Sequence, residues 1–174
     1  MILRWASSLG GFLLALSLLG LSCVSWAQAR IQVEEPLRME LNALLKAADE
    51  LHEVLFERRE EHELRLVLES LEQALSRAQR VSGVGGIQQR VHVDGILGSI
   101  RTHLEMVQMR EGEERLGHLR ELFRALVQVA RSFDVDRYRI FFCDRDRSEW
   151  IQSGWQVRNP FEPRRGGGCG KLAR

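Results

Sequence analysis

Cys143 and Cys169 stand 26 positions apart, in "FFCDR" and "GGGCGK", and are the side chains of this 174-residue chain best suited to covalent chemistry. A bond between them would close a loop of about 27 residues and stabilise the fold by about 3.5 kcal/mol through chain entropy. A structural disulfide is the first reading. A thiolate pair holding a metal ion is the second, and a catalytic thiol the third. The third has no CxxC partner, neighbouring histidine or helix start to activate the sulfur.

His103, Met106 and Met109 fall within two helical turns of one another. Imidazole with thioether suits copper(I), although methionine at this spacing also serves as core filler. The remaining histidines, His52, His62, His92 and His118, complete neither an HExxH motif nor an i, i+4 histidine pair. Glu60-Glu61 and Glu113-Glu114 are adjacent in sequence, so they diverge on a helix and read as solvated charge. Asp144 and Asp146 could line a cation site, but Arg145 and Arg147 offset their charge. "GGGCGK" is not a phosphate-binding loop. Arg165 stands where that motif needs its first glycine, and Leu172 stands where Ser or Thr would bind magnesium.

The elements that position these residues are helical. Leu37, Leu41, Leu44, Ala48, Leu51 and Leu55 alternate steps of four and three, which predicts a helix over 34–58 with Pro36 in its first turn. "ERREEHE" then either interrupts that helix or continues it on a solvated face. Leu64, Leu68, Leu71, Leu75 and Ala78 predict a second helix, ended near Val81 by the glycines of "SGVGG". Val93, Leu97, Ile100, Leu104 and Val107 predict a third, ending at Gly112. Leu116, Leu119, Phe123, Leu126, Ala130 and Phe133 predict a fourth. Four amphipathic helices joined by short links imply an all-α fold, an antiparallel four-helix bundle over 30–137. Beyond it the helical period stops. Residues 138–174 are expected to form an irregular, disulfide-closed cap, whose Phe141, Phe142, Trp150, Trp155 and Phe161 cover part of the bundle.

Residues 1–29 have the layout of a secretory signal peptide: Arg4, an apolar run from Leu9 to Leu21, and Ala27-Gln28-Ala29 as a small-x-small cleavage site. The run is about 13 residues, short of the roughly 20 that span a bilayer, so no stable membrane span is expected after cleavage. "LLGLSC" also resembles a lipobox, which makes lipidation at Cys23 an alternative. Removal of Arg4 leaves basic and acidic side chains balanced, and no global field favours nucleic acid. Two remaining cysteines in an oxidising compartment favour a disulfide.

"YRIFFC", "WIQSGWQVRNPF" and the final "CG" resemble the C-terminal half of a helical domain of unknown function. That domain occurs in exported bacterial proteins and appended to periplasmic heavy-metal efflux adaptors. Cys143, Trp150 or Trp155, Asn159, Pro160, Phe161, Cys169 and Gly170 follow its motif in order, over about 55 residues. The resemblance implies a periplasmic bundle associated with copper or related metals, with Cys143 and Cys169 among the ligands. Asp144 and Arg145 stand where the family has Pro and Met, and Gly166 to Gly168 replace the Met before the second Cys.

The expectation is therefore an exported, non-catalytic binding or accessory module, related to copper handling or serving only as a structural or partner-binding protein of the envelope. In the second case Arg158, Arg164, Arg165, Trp155 and Phe161 are the expected docking residues.

Overall fold

The structure, a computed structural model, describes residues 30–83, 87–162 and 168–173. The signal segment, Cys23, Arg164 and Arg165 lie outside them. Four helices follow in order: α1 (Glu35–Glu57), α2 (Glu61–Val81), α3 (Ile87–Met109) and α4 (Gly112–Ser132). α1 packs most extensively on α2 and α3 on α4, while α2–α3 and α1–α4 contacts close the ring. Short links leave consecutive helices antiparallel, the up-down arrangement of a four-helix bundle. No described helix is long and apolar enough to cross a membrane.

The predicted stripes are the core. Leu41, Leu44 and Leu51 of α1, Leu71 and Leu75 of α2, Val93, Ile100 and Leu104 of α3, and Phe123 and Leu126 of α4 are all buried in one hydrophobic cluster. Each full burial of such a side chain is worth roughly 1.5–3 kcal/mol. α3 begins well before its stripe, at Ile87. At the same end of the bundle, Ile31 bridges Phe133, donating to Ser132 O at 2.7 Å, while its own carbonyl accepts from Asp134 N at 2.9 Å.

The charged run after α1 breaks the helix. Arg58 takes a left-handed conformation, φ 51°, its N–H bonding Leu55 O while Arg59 N–H bonds Val54 O. These two bonds are a Schellman closure, a position that ordinarily favours glycine because a Cβ is strained there. Arg58→Gly is accordingly expected to raise stability by about 1 kcal/mol, or a Tm increase of about 3 °C by calorimetry.

The cap is more regular than its composition predicts. β1 (Arg139–Phe142), β2 (Glu149–Gln152) and β3 (Lys171–Leu172) form an antiparallel sheet in the order β2-β1-β3. Phe141 pairs with Trp150 across β1 and β2, and their rings stack with centroids 5.8 Å apart. The cap packs directly on the bundle. Phe141, Cys143, Trp150 and Ile151 belong to the same hydrophobic cluster as the helices, and β2 lies on α4 and α1. Arg131 of α4 grips Glu149 of β2 with two hydrogen bonds, at 2.9 and 3.1 Å.

Candidate functional site

The two cysteines meet at the end of the sheet. Cys143 directly follows β1 and Cys169 is separated from β3 by Gly170 alone, so pairing of these strands brings their Cα atoms to 5.4 Å, with the sulfurs joined as a disulfide. Cys143 is fully buried, and its N–H bonds Ser148 O at 3.0 Å to close the β1–β2 hairpin. Buried Asn159 ties the Asn-Pro turn to the second cysteine. Its Nδ2 donates to Cys169 O at 3.0 Å, and its Oδ1 accepts from Phe161 N at 2.9 Å. Phe161 is thereby set edge-on to Phe123 of α4, with centroids 5.6 Å apart.

The glycines around Cys169 have distinct reasons. Gly168 adopts φ +71°, and a Cβ there would stand 2.6 Å from Glu162 O. At Gly170 a Cβ would stand 2.6 Å from Val157 Cγ1 and 2.7 Å from the Trp150 ring. The Cys-Gly pair is thus a requirement of packing: the chain passes so close beneath Trp150 that a side chain is excluded.

A second cluster clamps the cap to α1. His52 is fully buried and its Nε2 lies 2.6 Å from Arg158 O, so Nε2 carries the proton and donates. Arg158 in turn binds Glu53 at 2.5 Å and Glu57 at 3.2 Å, and its guanidinium lies 4.4 Å from the centre of the Phe56 ring. Ser153 N–H donates to Asp49 Oδ1 at 2.9 Å. Gln152 Oε1 accepts from both Trp150 Nε1 and Arg158 N, at 2.9 and 3.2 Å. Burial pushes the His52 pKa below the usual imidazole value, only partly opposed by its bond to Arg158 O and by Glu53 and Asp49. Neutral His52 therefore suits its place.

The expected site residues separate into different places. Joined to each other, Cys143 and Cys169 offer no thiolate to a metal. The third ligand-type group beside them is Asp146, within 4.8 Å, and not His103. Asp146 itself accepts from Ser148 Oγ at 2.7 Å, and Asp144 pairs with Lys171 at 2.7 Å, so both are engaged by protein donors. Met109 is 73 % exposed, while Met106 is half-buried near His103. Of the proposed docking residues, Arg158 is committed to Glu53 and Glu57, and Phe161 to α4. Trp155 remains open, 75 % exposed, with the Arg139 guanidinium 3.5 Å above its ring centre.

A cleft of about 680 Å³ lies beside α2, lined by Glu61, His62, Arg65, Glu72, Gln108 and Arg115 among others. Its charged groups largely satisfy one another, with Arg115 bonding Glu61 at 2.8 Å and Gln108 bonding Glu72 at 3.2 Å.

Periodicity overlooked His52 and His118. His52 flanks the α1 stripe four residues after Ala48, a spacing that signals partial burial. His118 stands with its Nδ1 3.4 Å from His103 Nδ1. Fold and site together define a disulfide-capped four-helix bundle. Comparison with known protein families, curated proteins and solved structures yields no match.

Proposed function

We propose that the protein is an exported, non-catalytic binding module of the bacterial envelope, which docks another protein through its disulfide-locked cap. The observation that carries this reading is Trp155: a large aromatic held out to solvent beside Arg139, on a cap otherwise built to bury its rings. Tryptophan and arginine are the side chains that most often dominate binding energy at protein interfaces. Holding the ring under a guanidinium on a disulfide-closed sheet reduces the rotamer entropy that binding must remove. Arg139 is fixed from below by its bond to Ser153 O. A disulfide at the sheet edge supports an oxidising compartment, in keeping with the leader-like first 29 residues.

Copper handling through the cysteines has less support, because each sulfur is committed to the other and the motif's methionines are absent.

With a photoreactive side chain at Gln156, envelope fractions are expected to give one discrete crosslinked adduct. Trp155→Ala is expected to weaken that pair about 30-fold, a hot-spot loss of about 2 kcal/mol. Leu66→Ala, which removes another exposed apolar side chain on α2, should leave it unchanged. Capture that is indifferent to Trp155 contradicts the reading.

A further inference from the structure

His103 on α3 and His118 on α4 face each other across the helix pair, both half-buried at its surface. Their Nδ1 atoms are 3.4 Å apart and their rings are tilted by 35°, with centroids 5.7 Å apart. That spacing is long for an N–H···N hydrogen bond, whose ordinary range ends near about 3.2 Å. It is the right spacing for two ligands of one ion. Two nitrogens each about 2.0–2.1 Å from a tetrahedral cation lie about 3.3–3.4 Å from one another.

From this pair we infer a metal site that bridges α3 and α4, with His103 Nδ1 and His118 Nδ1 as protein ligands for a divalent first-row cation. Imidazole nitrogen is a borderline donor that suits both Zn²⁺ and Cu²⁺; the tetrahedral spacing matches Zn²⁺, and the general order of stability makes Cu²⁺ the tighter-binding probe of the same pair. Water completes the coordination, since no third described His, Cys, Asp or Glu ligand atom lies within 4.8 Å of both nitrogens. Glu121 is the acidic group whose charge acts on His103, and it is shared with Arg124, which bonds it on the same helix. The site needs no thiolate, so it coexists with the Cys143–Cys169 bond. It stands independently of partner docking through Trp155.

The test is Cu²⁺ titration of the disulfide-bonded full chain, followed by competition with a chelator of known affinity and by electron paramagnetic resonance. Bound Cu²⁺ is expected to show hyperfine coupling to two imidazole nitrogens. His103→Gln and His118→Gln are each expected to weaken binding at least tenfold, given that changes even to outer partners of metal ligands cost roughly 10–100-fold. His62→Gln, at an exposed histidine elsewhere, should leave the affinity unchanged. Binding should weaken on acidification, because protons compete with the cation for imidazole nitrogen. All three histidines are at least partly exposed, and unchanged Tm values without metal confirm folding of the variants. Cu²⁺ affinity unaltered by both His103→Gln and His118→Gln, or a signal without imidazole coupling, overturns the inference.

Discussion

Trp150→Ala is expected to destabilise the protein by about 3–5 kcal/mol, the range for truncating a fully buried large aromatic. Trp150 heads the fully buried side chains by volume, and three parts of the cap meet on it. Phe141 stacks on its ring, Gln152 accepts from its Nε1, and Gly170 passes beneath. Truncation opens a cavity between sheet and helices and removes one of the donors that satisfy buried Gln152. Denaturant unfolding followed by far-ultraviolet circular dichroism reads the loss. Because cap and helices share one core, the midpoint for the helices should shift together with that for the cap. A loss below about 1 kcal/mol would show that the sheet does not depend on this ring.

Removing the disulfide comes next in size. The double variant Cys143→Ala/Cys169→Ala is expected to lose about 3.5 kcal/mol, the entropy of closing a loop of about 27 residues, which lowers Tm by roughly 10 °C. The two-residue β3 explains why so much rests on this bond. Its two residues, Leu172 paired with Phe141 and Lys171 with Phe142, are exposed at the sheet edge, and so short a strand is marginal without a covalent anchor. Helical circular dichroism should persist at low temperature in the variant, since the four stripes do not involve the sulfurs. An equal Tm for the variant and the parent protein would contradict this account of the cap.

How much of this was legible in the sequence differs by element. The four stripes were, because a step of three or four residues places side chains on one face and the core then has a single consistent solution. The break after α1 was legible only as one of two readings of the charged run. A left-handed residue normally announces itself as glycine, and here Arg58 fills the position. The sheet escaped for a different reason: β1 reads "RIFF" and β2 "EWIQ", each too short for an alternating pattern to be distinguished from an aromatic-rich loop. The cysteine pairing was legible from the leader-like first residues and the cysteine count, whereas the role of Gly170 needed the Trp150 ring in place.

The two histidine features lie between these cases. His118 is separated from His103 by fifteen positions, which conceals their pairing from a search for local spacing. Yet His103 lies seven residues before Arg110 and His118 seven after Glu111, the two residues that link α3 to α4. An antiparallel hairpin brings residues equidistant from its turn to the same level, so a fold-aware reading finds the pair. The Arg158–His52 clamp was opaque. It depends on an irregular segment, 153–158, whose course is set by Gln152 and Asp49 and not by any period.

A proteolytic map of the folded protein, alkylated before any reductant is added, tests the lock on the cap most directly. Tryptic cleavage should release the segment 140–145 joined to 166–171 through their cysteines, two hydrogens lighter than the separate peptides combined, with neither sulfur alkylated. Recovery of both segments as separate, alkylated peptides from natively folded protein would mean that the sheet edge holds without the bond, and the account of the cap would be wrong.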